Sequence, residues 1–196
     1  MISFLRGWPL LLVLLAGCAE MTAFDLGNGN GFRVTDQTPG VAVTQERPPR
    51  LASLTFFSPR PFSEQAAGRC AERLLVPLDE TAPVIHYSGR DMLNAEGMVE
   101  HRPRLYGLLP VQDKIRFELT LLGKVKGTTY GFRRIESARR DPLGLNGHDY
   151  TSLPSSGQET SQLYQRLERL FRQMDACIAR GDDNSAMHGS LARSHS

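Results

Sequence analysis

The chain has 196 residues, with 23 Lys and Arg against 21 Asp and Glu and a formal net charge of +2. That length suits one domain with a proper core, since domains commonly hold about 100 to 150 residues, and leaves little room for a second. The near-neutral balance lacks the strongly basic face of a nucleic-acid binder, so no nucleic-acid partner is expected.

The chain opens with Arg6 in a short positive region, an apolar run from Pro9 to Leu15, and then Leu15-Ala16-Gly17-Cys18. A positive start, an apolar middle and small residues before a cut are the layout of a secretory signal. The apolar run is shorter than the about 20 residues a spanning helix needs, which favours a cleaved leader over a permanent membrane helix. The tetrapeptide resembles the lipobox of bacterial lipoprotein precursors, and no family is identified for the remainder. That resemblance implies that residues 1–17 are removed, that the Cys18 thiol carries a diacylglyceryl group, and that the new amine is acylated, typically with palmitate. Two or three acyl chains bury enough methylenes to hold a protein firmly at a bilayer. In the same family an aspartate after the cysteine marks inner-membrane retention. Here Ala19 follows, which implies the periplasmic face of the outer membrane.

With Cys18 assigned to lipid, Cys70 and Cys177 remain as an even pair in a compartment that permits disulfides. We expect them to be bonded to each other, the alternative being two buried thiols packed as small apolar groups.

Residues 18–50 read as a lipidated, flexible linker, because Gly27-Asn28-Gly29-Asn30-Gly31, Pro39-Gly40 and Pro48-Pro49 come with few large apolar side chains between them. The alternating glycines do not make a phosphate-cradling loop, since no strand precedes them and no periodic helix follows.

The folded domain is expected over 51–181. Leu51 to Phe57 favours a strand, closed by Pro59 and Pro61. Ser63 is placed to cap a helix to about Leu75, with Ala66, Ala67, Cys70, Ala71 and Leu74 at helical spacing. Ala82 to Tyr87 and Val99 to Leu109 read as short strands, the second with Pro103 at an edge or bulge. Ile115, Phe117, Leu119 and Leu121 alternate with Lys114, Arg116, Glu118 and Thr120, the period-two pattern of a strand with one wet face. Gly123 to Gly127 supplies a turn, and Thr128 to Ser137 returns as the antiparallel partner with Tyr130 and Phe132 on one face. Asp141-Pro142, Gly144 and Asn146-Gly147 mark a loop carrying His148, Asp149 and Tyr150.

The strongest helix signal is last. Leu163, Leu167, Leu170, Phe171, Met174, Cys177 and Ile178 share one face, after a possible Ser156 and Glu159 capping box. Gly181 reads as its stop and 182–196 as a disordered tail. The economical way to bury these stripes is an α+β layer, an antiparallel sheet of about four to five strands with two helices packed on one face.

Tests for chemistry assign no catalytic residue, no cofactor and no metal site. There is no G-x-S-x-G, and Ser155-Ser156-Gly157 near His148 and Asp149 reads as a helix start. Cys70 lies beside Arg69 and near Arg73 but has a disulfide partner available. His86, His101 and His148 lack the spacing that preorganises a metal site, and His188 and His195 fall in the tail. Lys124, Lys126, Arg133, Arg134, Arg139 and Arg140 could gather at one end of the hairpin for an acidic protein, lipid headgroups or cell-wall anions, or could be a solvated strand edge. The layout of anchor, linker and domain points to a non-enzymatic envelope interaction or assembly module with an envelope protein partner. Two alternatives stay open: a hydrolase assembled from groups such as His86, His101, His148 and Asp149, and a carrier with a deep apolar cavity.

Overall fold

The alternation around Ile115 belongs to a 13-residue central strand, β7 (Gln112–Lys124), paired with the 14-residue β8 (Gly127–Arg140). In the computed structural model, which describes residues 33–102, 104–105, 109–140 and 149–192, the other elements are β1 (Val41–Val43), β2 (Leu51–Ser58), α1 (Glu64–Leu74), β3 (Ile85–Ser88), β4 (Met92–His101), β5 (Arg104–Leu105), β6 (Leu109–Pro110), β9 (Thr151–Ser152) and α2 (Gln158–Ala192). The leader, Cys18, the glycine run at 27–31, the 141–148 loop with His148, and 193–196 with His195 lie outside the described residues.

The sheet runs β1-β2-β8-β7-β4-β3, with β9 added to β8, and every pair is antiparallel. The fold is therefore α+β, with a seven-stranded sheet where four to five strands were expected. The excess comes from very short strands such as β1 and β9, too brief to show a period, which form because an adjacent ladder offers unpaired backbone groups. The Gly123 to Gly127 turn tightens to Val125 and Lys126 between the ends of β7 and β8. Gly127 has φ +144°, and a Cβ there would stand 2.1 Å from the Ser58 carbonyl oxygen, so only glycine fits.

β4 straddles the gap between the two strands expected at 82–87 and 99–109. Its inward positions are Leu93, Ala95 and Gly97, and the small pair weakens the apolar alternation. Gly97 is small for a packing reason: a Cβ there would lie 3.0 Å from Leu75 Cβ at the end of α1.

One core unites both helices with the inward residues of β2, β4, β7 and β8. Ile115, Phe117, Leu119 and Leu121 of β7, with Tyr130 and Phe132 of β8, meet Leu163, Leu167, Leu170 and Met174 of α2 and Ala66, Ala67 and Ala71 of α1. Phe56 links sheet to helix, stacked on Phe171 at 5.2 Å and edge-on to Phe132 at 5.8 Å. Ser63 starts α1 through its extended backbone, without a side-chain cap bond. At the start of α2, Glu159 accepts a hydrogen bond from the Ser137 hydroxyl at 3.2 Å, so its carboxylate is tied to the sheet.

Two boundaries move. The linker expected over 18–50 is part of the domain from Arg33 onward: Val34 is 1% exposed, its N–H donates to Ser161 Oγ at 3.0 Å, and β1 pairs with β2. Burying a valine and pairing its N–H outweighs the turn-forming composition that suggested a spacer. The helix also does not stop at Gly181 but continues through the expected tail to Ala192. Gly181 lacks the positive φ of a stop, and a Cβ there would stand 3.1 Å from Ala66 Cβ, so it serves the close approach of α1 and α2.

Cys70 of α1 and Cys177 of α2 lie at disulfide distance, with Cα atoms 6.0 Å apart and a sequence separation of 107. A bond closing a loop of that size restricts the unfolded chain by about 5 kcal/mol. The Cys70→Ala, Cys177→Ala double variant is expected to lose about that much in urea unfolding, and reductant should move the parent but not the variant. An unchanged midpoint in both cases would show that the thiols are not joined.

Candidate functional site

Inward positions of β7 run Asp113, Ile115, Phe117, Leu119 and Leu121, so a carboxylate occupies a core-facing position at the strand's start. Asp113 is 5% exposed. Arg139, its direct partner on β8, binds it through two nitrogens, Nε to Oδ1 at 2.7 Å and Nη2 to Oδ2 at 3.2 Å. Arg166 of α2 donates to Oδ2 at 3.1 Å. Burial pushes the Asp113 carboxyl up, but these guanidinium hydrogen bonds and charges outweigh it and hold the carboxyl below its ordinary value. The group is thus an ionised clamp joining β7, β8 and α2, with both oxygens engaged.

A concavity beside the clamp is lined by Asp113, Ser137, Arg139, Glu159, Gln162 and Arg166 and has a volume of about 30 Å³. That is room for about one water, against the roughly 300 Å³ or more of small-molecule sites.

Among the described residues no helix packs on the opposite face of the sheet, and its cross-strand rows are graded. Phe57, Thr129, Leu122 and Met92 form one row, Thr55, Gly131, Thr120 and Asn94 the next. Then come charges: Glu118 pairs with Arg134 at 2.8 Å, and Glu96, directly opposite Glu118, pairs with His86 at 3.2 Å. Further along, Arg116 is held between Glu136 and the ring of Tyr150, whose centroid is 4.2 Å away. Lys114 closes the series with Glu100 at 3.2 Å, and this hydrogen bond is the main reason that carboxyl lies below its usual value. Phe57 and Tyr87 leave 54% and 51% of their surface exposed at the apolar end.

The basic residues singled out in the sequence are not brought together. Lys124 and Lys126 lie at the hairpin tip, whereas Arg139 and Arg140 lie at the far end of β8, about 40 Å away by strand rise. Arg133 is exposed in mid-strand, and Arg134 and Arg139 are in ion pairs. A long hairpin separates residues that a shorter one would have gathered.

The histidines are equally dispersed. His86 meets Glu96 on the open face, while His101, opposite Asp113, shares the inward phase of β4 about 17 Å further along. Partial desolvation, followed by the Arg166 and Arg169 charges, lowers the His101 pKa against the pull of Asp113. Asp149 is exposed. His86 and His101 therefore do not converge on a serine, cysteine or acid at one site. Among the described residues no group of His, Cys, Asp and Glu could hold a metal ion, and no helix is long and apolar enough to cross a membrane. The third reading fares no better in geometry, because the space between helices and sheet is occupied by the aromatic and aliphatic core.

The Asp113 clamp was missed in the sequence, although a signal existed: the inward phase of Ile115, Phe117 and Leu119 extends back to an aspartate. Compared with known proteins, the chain matches no family model, no curated sequence and no solved structure.

Removing the Asp113 charge leaves two guanidinium groups facing each other, so Asp113→Asn is expected to cost about 3 kcal/mol by chemical denaturation. The folded carboxyl titrates below the unfolded one, so its stabilisation is complete above about pH 4 and is lost as pH falls through the folded value. The variant should therefore show a shallower loss of stability below about pH 4 than the parent. Parallel acid limbs would show that the clamp does not couple to folding.

Proposed function

We propose that this chain is a lipid-anchored protein of the bacterial cell envelope, exported by its leader, acylated at Cys18 and held at the periplasmic face of the outer membrane. It acts there as a non-enzymatic interaction or assembly module. The observation that carries the reading is the division of its three cysteines: one closes a lipobox-like leader, and the other two stand at disulfide distance, which suits an oxidising compartment. The interaction role is supported by a filled core, a concavity of about 30 Å³ and an open sheet face whose apolar row is rimmed by paired charges. A face of that composition suits a polar, replaceable contact with another protein better than a permanent interface, which would be more apolar.

Growth with radioactive palmitate is expected to label the parent chain and not the Cys18→Ser variant. An unlabelled parent, or label that survives the substitution, would overturn the anchor.

The partner is tested separately. A photo-crosslinking residue at Leu122, on the open face, is expected to capture a discrete envelope protein in intact cells, and one at Gln173, on the exposed side of α2, is not. Equal capture, or none at Leu122, would remove the open face from the reading.

A further inference from the structure

The chain enters the folded domain beside the start of α2, where the Val34 N–H binds Ser161 Oγ. That is the end of the sheet at which β7 begins and β8 finishes, because Arg166, five residues further along α2, grips Asp113 together with Arg139. Around the same end lie exposed Arg33, Arg102, Arg104, Arg140 and Arg169. The carboxylates nearby are largely committed: Asp113 holds two arginines, and Glu100 holds Lys114 and stands 3.9 Å from Arg102. Asp36, Asp149 and Glu159 are the exposed acids placed among these arginines, and Glu159 already accepts from Ser137. The whole chain carries a net charge of only +2, while at this end the arginines, Arg139 and Arg166 on Asp113 included, outnumber the carboxylates.

We infer that this end of the domain docks on the anionic headgroups of the bilayer that holds the anchor, with the strands rising from the membrane and the Val125 to Lys126 tip pointing away. The inference rests on the lipid-anchor reading above. The distance from Cys18 to Arg33 bounds it: the intervening residues reach at most about 50 Å even when fully extended, and any shorter span brings the arginine-bearing end to the surface first. Electrostatic attraction acts only within a Debye length of about 8 Å at physiological salt, so the anchor supplies proximity and the arginines supply orientation. Guanidinium groups suit this task because they bind phosphate oxygens through paired N–H donors. The hairpin tip lies about 40 Å away along β8, which leaves the open face upright and accessible from the periplasm.

The test uses the acylated protein purified from membranes and mixed with vesicles of neutral lipid or of neutral lipid containing anionic phospholipid. Flotation with both compositions reports the anchor. Hydrogen exchange then reports docking: the backbone at 101–104, 139–140 and 166–169 should be slowed with anionic vesicles, not with neutral ones, and high salt should remove the difference. Combined Arg104→Glu, Arg140→Glu and Arg169→Glu should abolish the slowing while flotation persists, and Lys126→Glu at the tip should change neither. Equal exchange on both vesicles, or the same slowing by inorganic phosphate with neutral vesicles, would overturn docking while leaving the anchor intact. Flotation with anionic vesicles alone would support docking and overturn the anchor, and flotation with neither would overturn both.

Discussion

The inward face of the sheet must be sealed, and α2 does most of the sealing. Four strands present large side chains on that face, and the ridge of Leu163, Leu167, Leu170 and Met174 covers them. A helix that long can slide or rotate on a smooth apolar surface, because dispersion and burial are not directional. Its position is fixed by specific contacts spaced along its length. Ser161 and Arg166 hold the beginning, through Val34 and Asp113. Phe171 stacks on Phe56 in the middle, and Asp175 accepts from the Tyr130 hydroxyl at 3.3 Å while pairing with Arg60 at 3.1 Å. Desolvation first, and then the Asp175 charge, raise the Tyr130 pKa, so this phenol stays a neutral donor. Cys177 and Gly181 fix the far part against α1. Burial provides the attraction, and these contacts determine the register.

How much of this was legible depended on how strongly each segment expressed a period. β7 and α2 could be read because their inward positions are nearly all large and apolar. β4 could not, since Ala95 and Gly97 are small precisely where α1 approaches, and the packing that demands them erases the pattern. Gly181 misled for a related reason: a glycine near the end of a helical stripe looks like a terminator, whereas its role is to let two helix backbones come close. The segment from Arg33 to Arg50 was composed like a spacer, yet one buried valine and a few ladder bonds secure it. That Cys70 and Cys177 stand at disulfide distance was accessible from cysteine parity once Cys18 was set aside. The Asp113 clamp needed the strand's phase to be extended by one step beyond its last apolar residue.

Charge shows the same limit of one-dimensional reading. A run of basic residues along β7 and β8 suggested a single patch, but strand rise carries its members to opposite ends of the sheet and ion pairs absorb several of them. The surplus that results is assembled instead from chain segments far apart in sequence: the domain's first residue, the end of β4, the end of β8 and the fourth turn of α2. No window of sequence contains it. A near-neutral total therefore says little about the local field, which is set by where the compensating carboxylates have already been engaged.

Docking the 33–50 segment onto the sheet changes what the proposed anchor could do. Had those residues formed a spacer, the domain could range over a volume much larger than itself, and its orientation would be set by chance encounters. With the fold beginning at Arg33, fewer than half as many residues separate the proposed anchor at Cys18 from the domain, and the point of entry is fixed beside α2. A body held by one corner near a charged plane has a preferred attitude if that corner carries a surplus of the opposite charge, because every rotation that lifts it away separates several charges at once. Under the proposed docking, the same geometry would keep the graded open face clear of the bilayer. On the proposed anchoring and docking, orientation and access to a partner would both trace to one feature, that the chain enters its domain at the end where the arginines gather.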